Sequence, residues 1–102
     1  MNLTDRAKIP DQVIARQVGG ETVMLDLASG NYFSLDPVGA RIWQLLQEGR
    51  SLAEILEVLT LEYDASGEEI ERDLMRLVKE FAARGLISVQ EGRAEGERNP
   101  GP

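Results

Sequence analysis

The hydrophobic pattern of this chain changes period once, at Asp36-Pro37, and that change limits the fold to a small sheet followed by helices. Before it, apolar residues alternate. In Val13–Val18, Val13, Ala15 and Gln17 face opposite to Ile14, Arg16 and Val18. In Glu21–Leu27, Val23, Leu25 and Leu27 point one way and Thr22, Met24 and Asp26 the other. Gly19-Gly20 supplies the positive φ angles of a two-residue hairpin turn, and Ser29-Gly30-Asn31 is a second turn signal before a short strand, Tyr32–Leu35. After the change, capping signals and helical spacing take over. Asp36 is an N-cap with Pro37 at the first helical position, followed by Val38, Ile42, Leu45 and Leu46, with Trp43 beside them, and Gly49 as the stop. Ser51 with Glu54 opens a second helix carrying Leu52, Ile55, Leu56 and Leu59. Ser66 with Glu69 opens a third, striped by Ile70, Leu74, Leu77, Val78 and Phe81 and ended by Gly85.

The predicted class is α+β: a three-stranded antiparallel sheet, then three helices, in a winged helix-turn-helix-like arrangement. Residues 12–89 form the domain. Residues 1–11 are read as a flexible polar lead-in and 90–102, rich in Gly, Pro and charge, as a disordered tail. Leu86–Val89 is either a fourth small strand or a segment covering the core. With 102 residues one core is expected. No apolar run approaches the ~20 residues of a membrane helix and no signal peptide is apparent, so no membrane association and a cytoplasmic location are expected.

Histidine and cysteine are both absent, which removes the usual general base, the thiol nucleophile and nearly all transition-metal ligand sets. No catalytic residue, metal or cofactor is expected. The acidic cluster Glu68, Glu69, Glu71 and Asp73 opens the third helix, where the helix dipole favours carboxylates. A net charge of −7 opposes general affinity for nucleic acid. Arg72, Arg76 and Lys79 recur on the third helix, but Glu69, Asp73 and Glu80 stand at pairing distance from them in sequence, and the second helix has no Lys or Arg.

The sheet itself offers a binding surface. Tyr32–Leu35 contains no Pro, Lys or Arg to block its free edge, and it is the last strand before the helices. An extended peptide could bond to that edge and press side chains between strand and third helix. Phe33 and Leu35 read as core, Tyr32 as a contact on the opposite face, and Asp73, Arg76 and Glu80 as charge-reading positions flanking the core stripe. Met75 lies off that stripe. Trp43 and Tyr63 read as packing residues.

The run Asn31-Tyr32-Phe33-Ser34-Leu35-Asp36-Pro37-Val38-Gly39-Ala40-Arg41-Ile42-Trp43-Gln44-Leu45-Leu46 resembles the middle of PqqD-like proteins. The likeness continues through Gly49-Arg50-Ser51-Leu52, Ile55, Glu62-Tyr63-Asp64 and Asp73-Leu74 to Gly85-Leu86-Ile87. No one motif is decisive; their order is specific. The resemblance implies a recognition domain for the leader of a ribosomally synthesised precursor peptide. Such a leader adds as a strand to the third strand and packs against the third helix. The implied partner is a radical SAM enzyme, as in pyrroloquinoline quinone biosynthesis, or a leader peptidase, as in lasso peptide maturation. The Val38-Gly39-Ala40-Arg41-Ile42-Trp43 run is similar to stand-alone lasso-type members. Carried onto this chain, the peptide-binding positions are Asn31, Tyr32, Phe33, Ser34 and Leu35 on the strand and Asp73, Arg76, Leu77 and Glu80 on the helix. The competing readings are a winged-helix DNA-binding regulator and a weak homodimer built by pairing two third strands across a twofold axis.

Overall fold

The computed structural model describes residues 2–91, and the expectation for the tail beyond Glu91 lies outside the described residues. The hairpin forms as its glycines require. Strands β2 (Val13–Val18) and β3 (Glu21–Asp26) pair antiparallel across Gly19 and Gly20, which take φ of 58° and 88°. Strand β4 (Tyr32–Leu35) pairs with the other side of β3, giving a three-stranded sheet in the order β2-β3-β4. The helices are α1 (Pro37–Gln47), α2 (Leu52–Glu62) and α3 (Gly67–Ala83).

Caps place the helix starts. Asp36 Oδ1 accepts from the Gly39 N–H at 2.7 Å, and Pro37 occupies the first turn, where its missing N–H removes no helical bond. At α2 the box is reciprocal: the Glu54 N–H donates to Ser51 Oγ and the Ser51 N–H donates to Glu54 Oε1. At α3 the Glu69 N–H donates to Ser66 Oγ.

Helix α1 lies against β3 and β4 on one face of the sheet, α2 packs against α1 and α3, and Phe81 of α3 meets Trp43 of α1. Cross-strand register puts Ala15, Met24 and Phe33 in one row and Gln17, Thr22 and Leu35 in the next, on the covered face. Met24 is fully buried there, joining Ile42, Trp43, Leu45 and Leu46 of α1, Leu52, Ile55 and Leu59 of α2, and Ile70, Leu74, Val78 and Phe81 of α3. The more apolar face of β3 is the outer one, where Val23 and Leu25 are half-buried. Val38, read as part of the α1 stripe, is 40% exposed.

The N-terminal segment departs from the flexible lead-in expected of residues 1–11. Arg6–Lys8 forms a strand, β1, paired antiparallel with β5 (Ser88–Gln90) in a second, two-stranded sheet. The Leu52 N–H donates to the Asp5 carbonyl at 2.9 Å and the Ala53 N–H to the Leu3 carbonyl at 2.7 Å, so this strap satisfies two first-turn donors of α2 that no helix can satisfy internally. Both readings of Leu86–Val89 hold in part: Leu86 and Ile87 are buried in the core, and the strand begins at Ser88.

One ion pair ties α1 to α2. Arg41 donates to both carboxylate oxygens of Glu62, at 2.9 and 2.6 Å. That bidentate bond holds the Glu62 carboxyl below the usual glutamate range and the Arg41 guanidinium above its own. Because the folded-state value is depressed, the stabilisation is complete above the ordinary carboxylate value and is lost as pH falls through the lowered one. Glu62→Gln should therefore reduce the loss of stability on acidification from about pH 4.5 downward. Urea unfolding at a series of pH values measures this; an acid limb identical to wild type would refute it.

Candidate functional site

The geometry around β4 follows from its pairing. The Asp26 N–H donates to the Asn31 carbonyl at 2.9 Å, which makes Asp26–Asn31 a hydrogen-bonded pair. Antiparallel pairs of that kind recur at every second residue, at Met24–Phe33 and Thr22–Leu35 in the observed register. Phe33 and Leu35 thus turn their backbone groups towards β3, and Tyr32 and Ser34 turn theirs outward. Among the described residues no strand lies on that side of β4.

A groove runs beside this open edge, between β4 and α3, which cross it in opposite directions. One part, about 440 Å³, is lined by Ser34, Leu35, Asp36, Val38, Gly39, Ile42, Asp73, Arg76 and Leu77. The adjoining part, about 210 Å³, is lined by Phe33, Ser34, Leu35, Leu77, Glu80, Phe81, Arg84 and Leu86. Ser34, Leu35 and Leu77 belong to both, so the two parts meet at the middle of the strand. The floor is apolar and the α3 rim is charged, with alternating sign along Asp73, Arg76, Glu80 and Arg84. Gly39 lies buried in the floor; a Cβ there would approach Asp36 Oδ1 to 3.2 Å and Leu35 to 3.6 Å.

The rim charges differ in how they are engaged. Arg84 donates to Glu80 Oε2 at 3.3 Å and lays its guanidinium over the Phe33 ring, 4.9 Å from the centroid. Asp73 and Arg76 form no ion pair with each other or with any other described residue. The pairings expected from sequence, Glu69 with Arg72 and Arg76 with Asp73 or Glu80, are replaced by the single pair Glu80–Arg84. The basic stripe is also split. Arg76 lines the groove, whereas Arg72 lies with Met75, Glu68 and Glu71 on another part of α3.

Of the predicted positions, the structure brings Phe33, Ser34, Leu35, Asp73, Arg76, Leu77 and Glu80 together around the groove. Asn31 and Tyr32 do not line it. Asn31 closes the turn, its N–H donating to Ser29 Oγ and its carbonyl accepting from Asp26. Tyr32 is 71% exposed on the outer face, in the cross-strand row of Leu25 and Ile14. Sequence reasoning missed Asp36, Val38, Gly39 and Ile42 at one end and Phe81, Arg84 and Leu86 at the other as groove residues. Arg84 carried a usable signal, since it stands four residues after Glu80 on the same helix face. Val38 and Ile42 carried none, because helical spacing alone assigns them to the core.

The PqqD family model, described as coenzyme PQQ synthesis protein D, matches residues 21–87. The chain belongs to the PqqD family. The match spans β3, β4 and all three helices, and therefore both walls of the groove. Two solved structures share this PqqD fold. One, TbiB1 in complex with the TbiA(beta) leader peptide, is 40% identical with a TM-score of 0.74, and the match covers 86% of this chain and 99% of that one. The other, a lasso peptide synthetase B1 complexed with the leader peptide, is 30% identical with a TM-score of 0.76, covering 81% and 98%. Curated protein sequences yield no match. Among the described residues there is no cluster of three or more acidic, His or Cys side chains that could hold a metal, and no helix long and apolar enough to cross a membrane.

The contrast among the rim charges is testable without a ligand. Arg84→Ala removes both the ring contact and the ion pair and should lower unfolding stability by about 0.5–1 kcal/mol. Asp73→Asn and Arg76→Gln, which break no internal contact, should stay within about 0.5 kcal/mol of wild type. Denaturant unfolding of the three variants checks this; equal losses in all three would show that Asp73 and Arg76 have partners within the fold.

Proposed function

We propose that this chain is a non-catalytic adaptor that takes up the leader of a ribosomally made precursor as an added strand along β4 and presents it to a separate modifying enzyme. The observation that carries this reading is the pair of outward backbone groups at Tyr32 and Ser34, beside a groove whose Asp73 and Arg76 have no ion-pair partner among the described residues. An extended peptide laid on β4 pairs its N–H and C=O groups with these two residues. It turns every second side chain into the groove and the others onto the outer face beside Tyr32. Leu35, Leu77, Val38 and Ile42 receive apolar side chains, while Asp73 and Arg76 favour a basic and an acidic neighbour respectively. The two leader-bound structures, both similar over more than four-fifths of this chain, support the same reading. The second of them, a lasso peptide synthetase B1, also supports a lasso-type precursor, for which the resemblance to stand-alone lasso-type members implies a leader peptidase as the receiving enzyme.

Ser34→Pro separates binding from folding. The Ser34 N–H faces away from β3, so proline removes no ladder bond and is tolerated at such an edge position, while it deletes the donor that an added strand would use. The variant should keep a wild-type circular dichroism spectrum. Its affinity for the fluorescently labelled leader peptide that wild type binds should fall at least tenfold (~1.4 kcal/mol) by anisotropy. A folded variant that binds the leader as tightly as wild type would refute strand addition at β4.

A further inference from the structure

Strand addition does not by itself fix where along β4 a leader sits. Tyr32 and Ser34 are the two residues of β4 that turn backbone groups outward, and the bonding groups of an added strand repeat every second residue. A leader moved by two residues makes the same backbone bonds and keeps the same face inward. The groove must therefore hold the register, and its two parts differ in charge.

In the narrower part the charges cancel: Glu80 and Arg84 bond to each other, and Arg84 covers the Phe33 ring. The wider part carries a surplus. Its charged residues are Asp36, Asp73 and Arg76, two carboxylates to one guanidinium, and none of the three has an ion-pair partner among the described residues. Asp36 is also the cap of α1, its Oδ1 accepting from the Gly39 N–H at 2.7 Å. That bond engages one oxygen and holds the carboxylate in place, but it leaves the negative charge unneutralised. Gly39 keeps the space for it, since a Cβ there would come within 3.2 Å of Oδ1.

We infer that Asp36 is a specificity-determining residue of the groove, which sets the register of the leader by receiving a basic side chain, Lys or Arg, beside Leu35. The inference rests on the strand-addition reading of β4. Leader residues across from Leu35 and from Phe33 are two apart and turn their side chains to the same, covered face. Leu35 reaches into the wider part, next to Asp36, whereas Phe33 lines only the narrower one. A basic residue across from Leu35 meets a net negative rim with one carboxylate already positioned. Moved by two residues, it meets a recess whose one carboxylate, Glu80, is taken by Arg84, and the desolvation of its charge is not offset. The same backbone ladder is thus favoured in one register and penalised in the next.

Cap and charge are separable, because Asn caps a helix about as well as Asp, whereas Ala does not. The test measures affinity for the fluorescently labelled leader that wild type binds, and for copies of it in which each Lys or Arg is replaced in turn by Gln. Asp36→Asn should keep the wild-type melting temperature and weaken leader binding about three- to fivefold at ~20 mM salt, and less at ~300 mM, where charges at an exposed rim are screened. Asp36→Ala should lose thermal stability as well. One substituted leader should bind wild type and Asp36→Asn equally, which identifies the basic residue that Asp36 receives. Register is read separately. The chain has no cysteine, so Tyr32→Cys supplies a single thiol on the outer face, to be equilibrated in a thiol–disulfide buffer with leaders carrying one Cys at successive positions. One leader position should dominate the mixed disulfides, and with Asp36→Asn the positions two residues to either side should join it. Unchanged affinity in Asp36→Asn, an unchanged register, or a leader in which no Lys or Arg is coupled to Asp36 would show that Asp36 is a cap alone and overturn the inference. Ser34→Pro keeps the two readings apart. If it binds leader normally, both fail; if it binds weakly while Asp36→Asn has no effect, strand addition stands and only the register role is lost.

Discussion

A single residue, Asp36, joins the last strand of the sheet to the first helix, and most of the architecture follows from that short junction. With Pro37 already helical, α1 has no slack with which to swing clear of the sheet, and it turns directly beneath it. The Asp36 carboxylate fixes the turn by accepting from Gly39. Ile42, Trp43, Leu45 and Leu46 are thereby driven under Met24, and the remaining helices close around them. The same junction leaves β4 covered on one face but open along its side, because the chain departs downward instead of continuing as a fourth neighbour.

Two open edges on one small sheet are a hazard for most proteins, since each invites pairing with a stray strand. Here each edge is accompanied by a recess of distinct chemistry. Beside β4 the recess is apolar at its floor and charged at its α3 rim; beside β2 it is lined by Arg16, Arg41 and three glutamines, with Trp43 among its walls. Trp43 also meets Phe81 edge to face, with centroids 5.4 Å apart and planes at 87°. Phe81 lines the β4 groove, so one aromatic contact spans the core between the two recesses.

The strap formed by residues before β2 has a structural role that its composition conceals. Its side chains are largely polar, yet its backbone supplies carbonyls to the start of α2 and a strand to β5. Hydropathy reading detects what side chains bury and is blind to what main-chain groups satisfy, which is why this segment reads as a loose lead-in.

What the sequence determined on its own is local. Gly19-Gly20, Asp36-Pro37, Ser51 with Glu54, and Gly85 encode turns, caps and stops through their own φ preferences and short-range hydrogen bonds, so the element order from β2 to α3 was legible, as was the open strand Tyr32–Leu35. The ordered motifs also made the PqqD resemblance visible. Only the tertiary structure decided which face of the hairpin is inside. The apolar count of β3 favours Val23, Leu25 and Leu27, but the cover provided by α1 lies over Met24. The tertiary structure likewise turned Val38 to the groove, sent Glu80 to Arg84, and left Asp73 and Arg76 without an ion-pair partner among the described residues. It also buried the Trp43 N–H without an acceptor among the described residues. These outcomes depend on which surfaces distant segments bring together, and hydrophobic burial is non-directional: it specifies that surfaces meet, while the chain's short connections specify which ones.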